Sequence, residues 1–376
     1  MHPLLCKIQH ALASQLHEFR AYWVCLALLG ISAKTVPFLW YALQQIGAGI
    51  ALLILACALG WLATELFLKG PKLGSRGKAV LITGCDSGFG YHLAKRLDSE
   101  GYLVFAGCLF PEGQGATNLV RGSEKLHIVP LDVTDEQLVR DAVQYVKTNL
   151  KGYQLWAVVA NAGVNIFLEF EWIRTEDVSR IFDVNVMGVV RTAKAFLPML
   201  RNSRGRMVVV SSYAGRIASN MIVPYSMSKA AVISMADGLR REMKKWGVHV
   251  CTIEPFYYQT GINPSGFGSM MSKFERDVPE ELRKDYGEYP EHAFQWFMGL
   301  LGRISRKNSL EVVDQMFCAV ADREPKRHYR SDGFFNWLLY MSLFVLPSAA
   351  QDIACSFIEP HFRADEKSGL LLRCST

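Results

Sequence analysis

The sequence predicts an α/β chain built on a doubly wound parallel sheet, preceded by an N-terminal transmembrane anchor. Three observations predict it. Between Lys78 and Ile253, short apolar runs alternate with longer segments of helical periodicity, the pattern of strands joined by crossover helices. The first of those runs ends in a loop with three glycines, Gly84-Cys85-Asp86-Ser87-Gly88-Phe89-Gly90. Ile46–Phe67 carries one charge, Glu65, near its end, and about 20 apolar residues cross a bilayer as a helix.

Residues 1–20 are mixed and polar, with Lys7 and Arg20, and Ala21–Ile31 is a first, shorter apolar segment. A cleaved signal peptide would place a short apolar core at the extreme N-terminus; Ile46–Phe67 is too long and too late for that. Lys69, Lys72, Arg76 and Lys78 follow directly, so the positive-inside rule puts the remainder of the chain in the cytosol. If both segments cross, Lys7 and Arg20 are cytosolic too and the anchor is a hairpin. Residues 1–70 are therefore the anchor and 71–77 a linker rich in glycine and basic residues.

The globular part starts at Lys78–Thr83, a short buried strand. Tyr91–Glu100 has helical periodicity and stops at Gly101. Strands follow at Tyr102–Cys108 and Leu126–Leu131, the latter ending on Asp132. Glu136–Leu150 is helical, and Leu155–Ala160 is a strand ending on Asn161-Ala162-Gly163. Asp177–Leu200 reads as one long helical region containing Asn185. A strand over Gly205–Ser211, a helix over Tyr225–Trp246 stopped by Gly247, and a strand over Val248–Ile253 complete the alternation. In such sheets ligands lie beyond the carboxyl ends of the strands. Gly84–Gly90, Asp132, Asn161, Ser212 and Pro255 all fall there.

Composition narrows the function. The 376 residues carry 41 Lys+Arg against 35 Asp+Glu, a net charge of +6 without a long basic run, which argues against nucleic acid as a partner. Half the residues are hydrophobic and the mean hydropathy is +0.12, high for a purely soluble protein. Nine cysteines are scattered without Cys-x-x-Cys or metal-ligand spacing, so free thiols in a reducing compartment are expected, with no disulfide framework and no metal site. No Asn-x-Ser/Thr acceptor with x other than proline occurs.

Tyr225 and Lys229 are four residues apart, which places them one turn apart on one helix face. A phenol titrates near 10, and an ammonium beside it favours the phenolate. The pair is thus a candidate general acid-base for interconverting an alcohol and a carbonyl. The glycine loop, with a helix N-terminus behind it, suits a pyrophosphate.

These motifs together resemble the classical short-chain dehydrogenase/reductase family over residues 78–330. Thr83-Gly84-x-x-x-Gly88-x-Gly90 matches its cofactor loop, and Leu131-Asp132-Val133 matches its adenine-binding segment. Asn185, Ser212, Tyr225 and Lys229 match its catalytic tetrad. The resemblance implies a Rossmann-type fold and a nicotinamide cofactor. Cys108-Leu109-Phe110 at the end of the second strand offers neither the acid nor the base that would choose between NAD and NADP; the branch that the chain resembles favours NAD, with NADP left open. The cofactor would be held by Gly84, Cys85, Asp86, Ser87, Gly88, Phe89, Gly90, Asp132, Val133, Asn161, Ala162, Gly163, Tyr225, Lys229, Pro255 and Thr260. Tyr225 would exchange a proton with the substrate oxygen and Lys229 would lower its pKa and hold the nicotinamide ribose. Ser212 would hydrogen-bond the substrate oxygen, and Asn185 would hold a water. Two departures stand out: Ala160 replaces the first asparagine of Asn-Asn-Ala-Gly, and Phe256 replaces the glycine after Pro255.

The cofactor loop and Val104–Leu109 look most like the branch holding retinol dehydrogenases, the type 2 17-beta- and 11-beta-hydroxysteroid dehydrogenases and mitochondrial 3-hydroxybutyrate dehydrogenase. The implied substrate is a lipophilic alcohol or ketone. The loop over 256–308 is rich in aromatic residues and methionine, with Phe267, Met270, Met271, Phe274, Trp296, Phe297 and Met298; such a stripe is more often core than substrate wall, but as a wall it would suit a lipophilic substrate, and no cation is evident there for a carboxylate. A 3-hydroxybutyrate-type activity and a catalytically weak, cofactor-binding relative are the alternatives; the weak relative has Phe256 as its support. The implied location is the endoplasmic reticulum membrane with the catalytic domain cytosolic, or a mitochondrial membrane; a homodimer is left open. Residues 331–376 hold an apolar segment, Trp337–Leu346, which either packs near the substrate mouth or touches the membrane surface, and a polar tail.

Overall fold

The computed structural model describes residues 71–258 and 266–330, with separate helical positions between 41 and 59 and short pieces between 347 and 373. Ala21–Ile31, most of Ile46–Phe67, Thr260 and Trp337–Leu346 lie outside the described residues. Ile46, Leu52, Leu55 and Leu59 are described, and each is helical and exposed. Among the described residues no helix is long and apolar enough to cross a membrane. The chain divides into two compact units, residues 1–71 with 346–358 and 375–376, and residues 72–345 with 359–374. The second unit carries the sheet.

That sheet has seven strands in the order β3-β2-β1-β4-β5-β6-β7. They are β1 (Lys78–Thr83), β2 (Leu103–Cys108), β3 (Leu126–Pro130), β4 (Gln154–Ala160), β5 (Arg206–Val210), β6 (His249–Ile253) and β7 (His328–Tyr329). Every pairing is parallel. The crossovers are helical: α1 (Gly88–Ser99), α2 (Gln114–Val120), α3 (Glu136–Asn149), α4 (Thr175–Phe182), α5 (Gly188–Ser203) and α6 (Val223–Met243). The period-2 alternation of β1 divides it between two cores. Val80 and Ile82 face Leu93 and Leu97 of α1 together with Val312, Met316 and Val320 of a later helix, α10 (Leu310–Ala321; α7–α9 are given below). Ala79 and Leu81 face Val139 of α3, Phe196 of α5 and Val232 of α6. Burial on both faces explains the uninterrupted apolar strands, and each fully buried Leu or Ile stabilises by about 1.5–3 kcal/mol.

At the amino end of the sheet a fully buried arginine, Arg206, stands in for a helix cap. Its guanidinium donates to the carbonyls of Ala319 (2.9 Å), Val320 (2.8 Å) and Asp322, the carbonyls left free at the end of α10, and lies over the Trp156 ring. Carbonyls at a helix C-terminus carry partial negative charge, so they offset part of the cost of burying this cation, whose pKa burial still lowers.

The predicted strands and most helices are found within one to three residues of their bounds, and three features differ. Gln114–Val120 is helical although Gly115 within it weakens a helix. The single helix expected over Asp177–Leu200 is interrupted by a π-helical turn, Asp183–Met187, which joins α4 to α5. The expected loop over 256–308 is largely helical: α7 (Phe267–Asp277), α8 (Glu280–Tyr286) and α9 (Tyr289–Ile304). Met270 and Phe274, and Phe294, Phe297 and Leu301, recur at helical spacing and are buried in a third core around Trp172. The Trp172 ring meets Phe274 at 4.8 Å, Tyr286 at 5.0 Å and Phe294 at 5.8 Å, each edge-on.

Candidate active site

The glycine loop is shaped by backbone packed on backbone. Gly84 and Gly88 have φ of +71° and +63°, a region L side chains avoid. A Cβ on Gly90 would stand 2.3 Å from the Gly84 carbonyl oxygen and 2.6 Å from Asn161 Nδ2. Asn161 Nδ2 donates to the carbonyls of Thr83 and Gly84 at 2.9 and 3.0 Å, while Thr83 Oγ1 accepts the amides of Asn161 and Ala162, both at 3.0 Å. These bonds stitch the end of β4 to the loop, so Asn161 supplies the polar anchor while Ala160 is buried among apolar neighbours. Gly115 closes the loop from the other side, where a Cβ would lie 2.0 Å from the Asp86 carbonyl oxygen.

A cavity of about 580 Å³ runs along this loop, lined by Gly84, Asp86, Ser87, Gly88 and Phe89 and continued by Asp132, Asn161, Ala162, Gly163 and Pro255, within the size range of small-molecule sites. A Cβ on Gly88 would meet nothing within 4 Å, so backbone is open to a ligand there. Asp132 also folds its own turn, Oδ1 accepting the amide and hydroxyl of Thr134 at 2.8 and 2.7 Å. Three of the sequence-predicted cofactor residues turn inward instead. Cys85 is buried, its thiol donating to the Ile82 carbonyl at 3.4 Å and pushed well above its usual pKa by burial. Gly90 is buried under the loop, and Val133 belongs to the second core. The loop geometry, the free backbone at Gly88 and the cavity fit a nicotinamide dinucleotide.

Ser212, Tyr225 and Lys229 line the same cavity. Lys229 is buried; its Nζ donates to the Val210 carbonyl at 2.9 Å and lies 5.4 Å from the centre of the Tyr225 ring. Burial brings its pKa down to about 8, which leaves it mainly cationic at neutral pH. Burial also holds the Tyr225 phenol above its ordinary range, opposed by a hydrogen bond with Ser212. The sequence assigns the tuning of Tyr225 to Lys229. In the structure burial is the leading influence on the phenol, and the Lys229 ammonium lies over the ring and bonds the Val210 carbonyl. Asn185 is fully buried and does not line the cavity. Its Oδ1 accepts the Val164 amide at 2.8 Å, and its Nδ2 donates to the Val164 carbonyl at 2.9 Å and to Ser228 Oγ at 3.0 Å.

The turn carrying Ser212 is clamped from two sides. Ser211 Oγ donates to the Lys229 carbonyl at 2.9 Å, and a Cβ on Gly215 would lie 2.6 Å from the Lys229 carbonyl carbon. Opposite, Arg216 forms a two-pronged pair with Glu254, at 2.8 and 3.3 Å. Glu254 is 1 % exposed and also accepts from Thr252 Oγ1 (2.7 Å) and Arg330 Nε (3.4 Å). Against desolvation, the hydrogen bond with His328 Nδ1 (3.1 Å) lowers its pKa most, followed by Arg216 and Thr252, and together they hold it at about 2. Glu254 leads directly into Pro255 and Phe256. The Phe256 ring leans on Tyr213 at 4.4 Å, and Phe167, Tyr213, Ile222, Phe256 and Tyr257 form the apolar side of the cavity. None of the aromatic and Met residues that could have formed this wall, Phe267 to Met298, lines it. They fill the third core instead, because a helix buries its apolar stripe before it offers it to a ligand.

Sequence reasoning missed Thr83, Gly115, Tyr213, Glu254 and Arg180. Thr83 lies within the quoted loop motif and Tyr213 beside Ser212, so proximity was their signal; Gly115 and Arg180 had none. Arg180 is a cation that the sequence did not offer, exposed at the cavity lining.

Comparison with known proteins decides the family. The short chain dehydrogenase family profile matches residues 78–267. The chain is 32 % identical over 376 residues to human 17-beta-hydroxysteroid dehydrogenase type 2, covering 93 % of this chain and 95 % of that protein. This chain belongs to the short-chain dehydrogenase/reductase family. It is also 36 % identical over 285 residues to the mitochondrial D-beta-hydroxybutyrate dehydrogenase of Mus musculus, covering 73 % of this chain and 83 % of the relative. Among solved structures, a short chain dehydrogenase/reductase from Burkholderia phymatum in complex with NAD shares the fold at TM-score 0.59 and 21 % identity, covering 75 % of this chain and 96 % of the other. The chain is thus an oxidoreductase acting on CH–OH groups with a nicotinamide cofactor.

Proposed function

We propose that this short-chain dehydrogenase/reductase is a membrane-anchored, NAD-dependent dehydrogenase of a lipophilic alcohol such as a steroid or retinoid, with Tyr225, Lys229, Ser212 and Asn185 as its catalytic group. The observation that carries the substrate class is the apolar lining of Phe167, Tyr213, Ile222, Phe256 and Tyr257, which shares the cavity and one apolar cluster with Tyr225. Each methylene buried there contributes about 0.8 kcal/mol, so a polycyclic or polyene skeleton gains far more than a four-carbon hydroxy acid. The hydroxy acid would call on Arg180 for its carboxylate. That side chain is exposed, where an ion pair is worth roughly 0–1 kcal/mol, too little to offset the difference.

A nicotinamide cofactor would supply the hydride chemistry, and the glycine loop with Asp132, Asn161–Gly163 and Pro255 would hold it. Tyr225 Oη exchanges the proton of the substrate oxygen, and Ser212 Oγ orients that oxygen through its bond with the phenol. The Lys229 ammonium, over the Tyr225 ring, would stabilise negative charge developing at the phenol and would hold the nicotinamide ribose. Asn185 fixes Val164 and Ser228, which keeps Gly163 against Lys229. The apolar stretch Ile46–Phe67, with Glu65 as its single charge and exposed at each of its described positions, and the cations from Lys69 to Lys78 support an anchor with this unit on the cytosolic side, in the endoplasmic reticulum or a mitochondrial membrane.

The test is a kinetic comparison in nanodiscs with NAD. Steroid or retinoid hydroxyls are expected to exceed 3-hydroxybutyrate in kcat/KM by orders of magnitude; parity would replace this reading with the hydroxy-acid one. Tyr225→Phe is expected to lower kcat by about 10²–10⁴ with cofactor affinity unchanged. Retention of a tenth of the wild-type rate would remove Tyr225 from the proposed role.

A further inference from the structure

The end of β2 lacks an acid in the sequence, yet the fold places one there. Asp86 belongs to the glycine loop, but its Oδ2 accepts the Leu109 amide at 3.0 Å and its Oδ1 accepts the Phe110 amide at 2.8 Å. Its carboxylate therefore sits against the two residues that follow β2, in the place where a dinucleotide fold reads the adenosine ribose. Asp86 is partly exposed, and both Asp86 and Leu109 line the cavity. Gly115 fixes this placement, since any side chain there would strike the Asp86 carbonyl oxygen.

We infer that Asp86 selects NAD over NADP by accepting a hydrogen bond from the adenosine 2′-hydroxyl and by opposing a 2′-phosphate. Three properties of the site carry this. Each carboxylate oxygen has used one of its two lone pairs on a backbone amide, which leaves one on each for a hydroxyl. The amides of Leu109 and Phe110, which a phosphate would otherwise recruit, are already engaged by Asp86. No lysine or arginine from the glycine loop, from β2 or from residues 109–110 lines the cavity, so a 2′-phosphate would meet a fixed negative charge with no counter-charge from these elements.

The inference rests on the dehydrogenase reading above, and the experiment separates the two. Binding of NADH, NADPH and 2′-deoxy-NADH to the full-length protein in nanodiscs is measured by cofactor fluorescence, without substrate. Wild type is expected to bind 2′-deoxy-NADH about tenfold more weakly than NADH, the value of a hydrogen bond to a charged group, and NADPH at least about a hundredfold more weakly. Asp86→Asn keeps the shape, removes the charge and is expected to narrow the NADH/NADPH ratio about tenfold or more; its melting curve reports whether the loop survives. The 2′-deoxy comparison needs no variant, so it decides the matter even if Asp86→Asn unfolds. Equal wild-type affinity for all three cofactors overturns the inference and leaves the enzyme reading standing. Binding of none of them overturns both.

Discussion

The side of the cavity proposed for the cofactor and the side proposed for the substrate are built from different materials. Around Gly84, Gly90 and Gly115 the walls are main chain, and a single added Cβ would stand 2.0–2.9 Å from a backbone atom. Across the cavity, at Phe167, Tyr213, Phe256 and Tyr257, the wall is made of side chains resting on one another, such as Phe256 on Tyr213 at 4.4 Å. Backbone cannot retreat from an intruding methyl group, whereas a ring can rotate or be replaced. The first construction suits a ligand that is always the same and the second a ligand that differs between relatives, which agrees with relatives named for substrates as unlike as a steroid and hydroxybutyrate.

The sharpest way to probe that division is at the base of the substrate side. Glu254→Gln leaves Arg216 and Arg330 facing a neutral amide. Breaking a buried pair costs about 3–5 kcal/mol, and the partial exposure of both arginines places the loss near the lower figure. Turnover is expected to fall with the loosened Ser212 turn while NADH affinity stays within about threefold; a parallel loss of cofactor affinity would erase the proposed division. The same carboxylate sets an acid limit. Its folded pKa of about 2 lies below the ordinary value of 4.5, so its contribution is complete above pH 4.5 and is lost as pH falls towards 2. Chemical denaturation between pH 6 and 3 should show that loss in wild type and a shallower slope in the variant.

Next in size is Gly115→Ala on the cofactor side. Overpacking typically costs about 1–3 kcal/mol, and with main chain 2.0 Å away the strain must move the Asp86 loop. NADH affinity is expected to drop at least about tenfold, with a lower melting temperature. Unchanged affinity would mean that this wall yields like the other. Smallest is Phe256→Ala. The ring is half-buried, so about 1–2 kcal/mol of stability is lost, below the 3–5 kcal/mol of a full core truncation. KM for a bulky alcohol should change about tenfold while NADH affinity does not; a loss of cofactor affinity would place Phe256 in the other wall.

The contrast also explains what could be read from the chain. The cofactor side follows from local rules: a strand, a glycine loop and a helix in succession leave few conformations, so β1, the loop and Asp132 were legible together. The substrate side depends on segments far apart in sequence. Phe167, Tyr213 and Phe256 meet because three strand ends converge, and no local periodicity records that meeting. The richest aromatic stretch, Phe267–Met298, was open to both a core and a wall reading for the same reason: composition shows apolarity but not which way a helix turns it, and the core reading is the one the structure bears out. Asp86 lay within the legible loop, yet its reach to Leu109 and Phe110 depends on the pairing of β1 with β2 and on the gap that Gly115 leaves.

The π-helical turn at Asp183–Met187 gives the chain one residue more than a straight helix from α4 to α5 would need. An α-helix advances about 100° per residue, so deleting one residue there would yield a smoother helix while rotating everything before it by that angle relative to α5. Asn185 would turn away from Val164 and Ser228, and Asp177 would leave Lys273, its ion-pair partner on α7. The surplus residue thus works as a phase marker: chain length in this helix cannot drift by one in either direction without uncoupling the floor of the site from the lobe beside it, although a neighbouring surface loop could gain or lose residues freely.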